Sequence, residues 1–187
     1  EEVEKFTSLA QDFAEQSGQI KIKRIRESIE FKNVSFSYKT NEPVLKNISL
    51  KIYPGETVAF VGPSGSGKST ITSLLGRLMD PDTGQIMVDG VNIKNLNLGC
   101  WRRLLSFVGQ ETVIMNDTIE ANIRFANEAA SFEKVVEAAN QAAATEFIDS
   151  FFDKYNTVLG DNGVNLSGGQ RQRLSIARAM LNKGEVL

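Results

Sequence analysis

Residues 62–70 read G-P-S-G-S-G-K-S-T, a glycine-rich loop that ends in a lysine and two hydroxyl side chains. The string fits the pattern G-x-x-x-x-G-K-[ST] without a mismatch. A run of strand-forming residues at 57–61 precedes it, and the apolar positions of a helix at 71–75 follow it. Glycines at three positions let the backbone turn sharply and bring its N–H groups against phosphate oxygens. These residues predict a phosphate-binding loop between a strand and a helix.

The side chains of this loop suit a nucleoside triphosphate. Lys68 reaches β- and γ-phosphates as a point charge, and the Ser69 hydroxyl is placed to ligate Mg²⁺. The helix that begins near Lys68 directs the positive end of its dipole at the same phosphates. The alternative, a glycine-rich turn that binds nothing, leaves the complete pattern in its strand–helix context unexplained. The predicted binding residues of the loop are Gly62, Ser64, Gly65, Ser66, Gly67, Lys68, Ser69 and Thr70.

A second glycine-centred string, Leu166-Ser167-Gly168-Gly169-Gln170, precedes a predicted helix at 170–180. A hydroxyl, free N–H groups and the helix dipole would make a second anion site there. The alternative is an ordinary helix cap that contains glycines. The residues that follow, Arg171-Gln172-Arg173, make the string too specific for that alternative.

Together the two strings resemble those of the ATP-binding cassette family, the nucleotide-binding domains of ABC transporters. The resemblance covers residues 29–187 and implies an α/β fold. This fold would combine a P-loop NTPase core, an antiparallel β-subdomain and an α-helical signature subdomain at about residues 120–181, after a linker or N-terminal extension at 1–28. The implied cofactors are ATP and Mg²⁺. Ser167, Gly168, Gly169 and Gln170 would close on the γ-phosphate held by a second such domain in a head-to-tail dimer.

The resemblance also gives roles to two residues outside the strings. Tyr38 would stack on adenine, whereas its alternative role is a strand-end aromatic side chain that packs on the sheet. Gln110 follows a predicted strand at 105–108 and would contact Mg²⁺ and the attacking water. Lys68 and Gln110 are therefore the predicted catalytic residues, and Ser69 and Gln110 the predicted metal contacts.

Residues 157–163 read T-V-L-G-D-N-G, which is similar to a stretch with two glutamates in ABC exporters. Val158 stands at the first of these acidic positions and Asp161 at the second. The resemblance thus implies a domain that binds ATP and, in the complete protein, hydrolyses it to power export, at the cytoplasmic face of a membrane and with a transmembrane domain as partner. The alternatives are a non-transport ABC ATPase of DNA repair or translation, and a non-hydrolysing module that uses ATP as a dimer clamp.

Composition narrows the functional classes. Net charge is −2 over 187 residues, so bulk charge gives no case for a nucleic acid or an anionic membrane surface as partner. The hydrophobic share of 41% suits a globular core. The single cysteine, Cys100, excludes an internal disulfide, and the lack of histidine excludes imidazole chemistry within the chain. No apolar run has the length of a membrane span.

One aspartate has a misleading context. Residues 86–89 have the form of a Walker B strand ending in Asp89, but they follow the phosphate loop too closely, and Gly90 makes Asp89 a hairpin tip. The resemblance places the family's Walker B aspartate, catalytic glutamate and switch histidine after the signature helix. The sequence begins at Glu1 without methionine and ends at Leu187, so we expect a fragment that stops before the Walker B aspartate and hydrolyses little ATP alone.

Periodicity and turn residues predict the remaining elements. A short amphipathic helix through Phe6, Leu9 and Phe13 would be broken by Gly18 and followed by an extended linker, the alternative being a mobile terminus. The other predicted elements are strands at 29–31, 34–38 and 44–52, a hairpin around 89–90, and helices at 118–126, 131–152 and 170–180.

Overall fold

The computed structural model describes residues 16–39 and 42–187. The described residues divide into two compact units, with the division between Arg102 and Arg103. The amphipathic helix predicted from Phe6, Leu9 and Phe13 lies outside the described residues. The linker and cassette boundaries given above stay predictions.

The first unit is built on an antiparallel sheet of four strands, in the order β2-β1-β3-β4. Alternating apolar residues place one face of the sheet in the core, as the sequence predicts. One helix of this unit, α1, follows the glycine loop. The elements of this unit are β1 (Ile29–Ser37), β2 (Pro43–Ile52), α1 (Lys68–Leu75), β3 (Thr83–Val88) and β4 (Val91–Asn92).

A bulge in β1 explains why its alternating pattern falls into two parts. Phe31 and Val34 are both buried, so the buried positions step by three residues instead of two. The pairing with both neighbouring strands shifts register at this step, and Asn33 takes a left-handed conformation with φ of 50°. Gly84 of β3 approaches the bulge so closely that a Cβ atom would lie 2.3 Å from the Asn33 carbonyl oxygen. A side chain at Gly84 is therefore incompatible with the bulge.

The predicted hairpin between β3 and β4 is present, with Asp89 and Gly90 at its tip (φ of 49° and 78°). The Asp89 carboxylate accepts hydrogen bonds from the backbone N–H groups of Arg26 (2.9 Å), Glu27 (2.8 Å) and Ser28 (3.0 Å). Asp89 thus connects the hairpin tip to the segment ahead of β1, and this structural role agrees with the rejection of a Walker B role.

The segment ahead of β1 is held at its other end as well. The Gly18 N–H donates to the Leu96 carbonyl at 3.0 Å, and Ile20 forms a parallel bridge with Leu96. A Cβ atom on Gly18 would lie 2.1 Å from the Asn95 carbonyl carbon. Residues 16–28 are therefore attached to the first unit at two places.

Two predicted strands are wrong. Residues 57–61, ahead of the glycine loop, have no strand pairing within the described ranges, and Val61 is 94% exposed. Of the predicted strand at 105–108, Leu105 alone pairs, through one parallel bridge with Val186. The side chains favour strand in both segments, but a strand also needs a neighbour that receives its backbone hydrogen bonds.

The second unit is helical and packs around one apolar core. Ile119 and Ile123 of α3, Val135 of α4 and Leu174 of α6 are fully buried in it. None of the helices in the described part of the chain is long and apolar enough to cross a membrane. The helices that follow β4 are α2 (Leu98–Arg103), which spans the division between the units, and then α3 (Ile119–Arg124), α4 (Phe132–Gln141), α5 (Thr145–Asp149) and α6 (Gly168–Asn182).

The single helix predicted over 131–152 is wrong, because it is broken into α4 and α5 at Ala143, whose φ is 51°. Phe147 and Ile148 lie nine residues beyond Ala138 and Ala139. At about 100° per residue, this places the two pairs on opposite sides of a continuous helix. All four side chains are nevertheless buried in the same core. The break therefore allows both pairs to reach one core.

We predict that Asp89→Asn lowers stability in a pH-dependent way. Partial burial alone would raise the pKa of Asp89, but the three backbone donors and the Arg26 cation outweigh it and leave the pKa below its usual value. The stabilisation is complete above the unfolded-state pKa of about 3.9 and is lost as pH falls through the lower folded-state value. Urea unfolding should show a difference between parent and variant at pH 7 that shrinks in acid.

Asp82→Asn is the matched control, since it removes the same charge from an exposed position in this unit. An equal loss of stability in both variants, or a difference for Asp89→Asn that does not change with pH, would contradict the prediction.

Candidate functional site

The glycine loop ends in a helix whose first turn has no side-chain cap. Gly67 is the N-cap residue of α1, with φ of 87°, and Gly65 also has a positive φ of 80°. A Cβ atom on Gly62 would lie 2.7 Å from the Ser66 Oγ atom. The first N–H groups of a helix have no partner within the helix. The loop therefore depends on glycine at Gly65 and Gly67 for its positive φ values, and the helix that follows it begins with backbone donors that no side chain caps.

The Lys68 ammonium group lies inside this loop. Its Nζ atom donates to the Gly62 carbonyl at 2.9 Å and to the Pro63 carbonyl at 2.8 Å, with the Ser66 Oγ atom at 3.4 Å. The Ser69 side chain is exposed on the first turn of α1. A positive charge and a hydroxyl thus lie beside the backbone donors, and this donor set fits phosphate oxygens and a phosphate-bound cation.

Tyr38 is attached to the same helix. Its hydroxyl group is 3.1 Å from the Oγ1 atom of the buried Thr70 in α1. Its ring packs edge-on against Phe36, with centroids 5.0 Å apart and an interplanar angle of 89°. The residue nevertheless remains 59% exposed. The aromatic side chain therefore both packs on the sheet, as the alternative role required, and offers exposed ring surface beside the loop helix.

The second glycine string forms the N-terminus of α6. The Ser167 Oγ atom accepts a hydrogen bond from the Gln170 N–H at 3.3 Å, and the Gln170 side-chain oxygen accepts one from the Ser167 N–H at 2.8 Å. This is a capping box. Cβ atoms on Gly168 and Gly169 would meet nothing within 4 Å. The capping alternative is thus part of the structure, while the two glycines leave the start of α6 open.

Gln110 lies in the second unit, close to this helix start. With Gly168 and Arg171 it lines an open cavity of about 700 Å³. The Gln110 side chain is exposed. In sequence, Gln110 comes five residues after Leu105, which forms the bridge with Val186. Within this unit, the structure therefore brings together two of the predicted site elements, Gln110 and the signature string.

The stretch at 157–163 is held against the segment that follows Gln110. Val158 forms an antiparallel bridge with Thr118, and the Asp161 carboxylate accepts a hydrogen bond from the Asn116 amide at 3.0 Å. Val158 is 59% exposed. The one acidic position that this stretch shares with the exporter pattern thus has a partner within its own unit.

Two polar residues in the helical unit were not predicted from the sequence. Asn122 is fully buried within α3, and Arg178 of α6 donates to its side-chain oxygen at 2.6 Å. Burial lowers the pKa of the Arg178 guanidinium from its ordinary value. The available signal in the sequence was a polar residue among the apolar positions of each helix. That signal does not reveal that Asn122 and Arg178, which are 56 positions apart, contact each other.

Comparison with known proteins decides the family. A family model described as ABC transporter matches residues 45–187. The chain belongs to the ABC transporter family. It is 43% identical over 179 residues to an ATP-dependent lipid A-core flippase of Syntrophus aciditrophicus strain SB, covering 96% of this chain and 30% of the flippase. It is 45% identical over 168 residues to ABC transporter B family member 14 of Arabidopsis thaliana, covering 89% of this chain and 14% of that protein.

A solved structure extends this similarity to the fold. The structure of a bacterial Atm1-family ABC exporter with ATP bound matches with a TM-score of 0.89 and 37% identity, over 96% of this chain and 32% of that one. The predicted α/β fold, with a P-loop core, an antiparallel β-subdomain and a helical signature subdomain, is confirmed. The chain is thus an ABC ATP-binding domain that spans about a third or less of these relatives.

Proposed function

We propose that this ABC domain binds and hydrolyses ATP to drive export across a membrane. The observation that carries the proposal is the glycine loop ahead of the uncapped start of α1, with the Lys68 ammonium group inside the loop. Support for export comes from the similarity to a lipid A-core flippase and to an Atm1-family exporter. The domain would then work at the cytoplasmic face of the membrane, with a transmembrane domain in the same chain or in a partner.

The residues of the first unit would hold the nucleotide. The backbone donors of the loop and Lys68 would bind the triphosphate, and the exposed ring of Tyr38 would stack on adenine. Ser69 would contact Mg²⁺, which neutralises charge on the phosphates when bound. Gln110 stays a proposed metal contact on the resemblance of the sequence alone. The cradle fits these groups, because backbone N–H groups, a cation and a hydroxyl are the ligands that a magnesium-bound triphosphate requires.

A second ABC domain would complete the site. The start of α6 is open at Gly168 and Gly169, so the phosphates of a partner can approach its N–H groups. The capping box at Ser167 and Gln170 would fix the shape of this surface. Because the γ-phosphate would be met in trans, and because none of the proposed residues is a carboxylate able to orient water, we expect little turnover from the 187 residues alone.

Tyr38→Ala should weaken ATP binding by about 1–3 kcal/mol, because one stacking platform is lost. Binding of inorganic triphosphate should remain near the parent value. Tyr38→Phe keeps the ring and loses the hydrogen bond to Thr70, so it should retain most of the ATP affinity. Calorimetry with ATP and with triphosphate measures both effects.

Tyr53→Ala removes another half-exposed tyrosine of the same unit and is the control. An equal loss of triphosphate and ATP affinity in Tyr38→Ala would mean that Tyr38 supports the fold and does not recognise the base.

Ser167→Arg should abolish ATP turnover by the protein at its natural length while leaving ATP binding within about twofold, because the arginine would fill the surface that closes on the partner's γ-phosphate. Turnover and nucleotide binding are measured side by side on membranes or purified protein. Ser131→Arg controls for an arginine placed at the start of a helix, because Ser131 is the N-cap residue of α4. Parent-like turnover by Ser167→Arg would remove the signature string from the proposed mechanism.

A further inference from the structure

Arg178 has an unusual set of partners for a half-buried cation. Its Nε atom donates to the Asn122 carbonyl at 2.6 Å, its Nη2 atom donates to the Asn122 side-chain oxygen at 2.6 Å, and its Nη1 atom donates to the Val113 carbonyl. No carboxylate pairs with it among the residues that the structure describes. The planar guanidinium is thus used as a fork that joins neutral oxygens of two segments.

Asn122 extends this connection to the loop behind Gln110. Its Nδ2 atom lies within hydrogen-bond distance of the carbonyl oxygens of Met115 (3.0 Å), Asp117 (3.3 Å) and Thr118 (2.9 Å). Its Oδ1 atom accepts from the Met115 N–H at 2.9 Å as well as from Arg178. Every hydrogen-bonding atom of this fully buried amide is therefore occupied, and no other side chain supplies the same donors and acceptors in this shape.

The connection runs between the two site elements of the second unit. Val113 and Met115 lie three and five residues after Gln110. Arg178 lies eleven residues after Ser167 along α6, or about 16 Å along a rigid helix. A movement of the segment 113–118 must therefore break these hydrogen bonds or move α6, and a movement of α6 must act on that segment in the same way.

We infer that Asn122 and Arg178 form a clasp that fixes Gln110 in position relative to the signature string, and that both are positioning residues for ATP hydrolysis. This inference rests on the function proposed above. Neither residue is assigned contact with nucleotide: the clasp acts through the loop that carries Gln110 and through the helix that begins at Ser167. Its chemistry differs from that of a stabilising ion pair, since the charge serves to join backbone and amide oxygens.

The central variant is Arg178→Lys in the protein at its natural length. Lysine keeps the charge but cannot place a planar fork on three oxygens. We expect kcat to fall by about tenfold or more, because a small displacement of a catalytic group has large effects on rate. The KM for ATP should stay within about twofold, since the glycine loop lies in the first unit. The Mg²⁺ concentration for half-maximal turnover should rise as Gln110 is displaced.

Arg173→Lys is the matched control. Arg173 lies on the same helix and also donates to a backbone carbonyl, that of Ala143 at 3.2 Å, but it is exposed and does not contact the segment behind Gln110. Its kinetics should stay near those of the parent. Asn122→Asp keeps the size of the side chain and loses the amide donors, so it should reproduce the fall in kcat although it gives Arg178 a carboxylate partner. Rates are expressed per folded molecule, from the stoichiometry of ATP binding.

Hydrogen exchange gives a second measurement that does not depend on turnover. In Arg178→Lys, amides at 111–118 and at 167–170 should exchange faster together, whereas Arg173→Lys should leave both segments unchanged. Parent-like exchange in both segments, or parent-like kcat and Mg²⁺ dependence per folded molecule, would overturn the clasp. A parent protein that neither binds nor hydrolyses ATP would instead contradict the proposed function, while the exchange experiment would still decide whether the clasp joins the two segments.

Discussion

The backbone N–H groups at the start of a helix need partners, and of the two glycine strings of this protein one supplies them from its own side chains and the other does not. At α6, Ser167 and Gln170 cap each other's backbone, so the helix start is fixed by its own side chains. At α1, Gly67 occupies the N-cap position and no side chain caps the turn. The uncapped donors are a cost to the isolated fold that a bound phosphate would offset. The sheet and core of the first unit hold this loop in place.

Local patterns predicted most of the first unit. The two-part alternation in β1 corresponds to strand segments on either side of the bulge, and Asp89-Gly90 forms the predicted hairpin tip. The strand expected at 57–61 did not form. Its side chains favour a strand, but pairing also requires a partner segment, and that segment can lie far away in sequence. Strand propensity is a property of single residues, whereas a ladder of hydrogen bonds requires two segments that pair.

In the helical unit, too, local sequence patterns predicted only part of the structure. Alanine-rich sequence predicted one helix over 131–152, because propensity counts residues without regard to the direction in which their side chains point. The core requires Ala138 and Phe147 on one side, and that requirement breaks the helix at Ala143. The two glycine strings could be recognised in the sequence because each pattern lies within nine residues or fewer. The contact between Asn122 and Arg178 was not, since it joins residues 56 positions apart.

The proposed function depends on the binding of a magnesium–nucleotide by Lys68 and the backbone of the glycine loop. The most direct measurement is calorimetry of MgATP binding to the 187-residue chain and to Lys68→Ala, with Lys134→Ala as a control for loss of an exposed lysine. Loss of one charge-assisted contact should weaken binding by about 1.5–3 kcal/mol in Lys68→Ala and leave the control unchanged. Equal MgATP affinity in the parent and Lys68→Ala would show that Lys68 does not bind the phosphates.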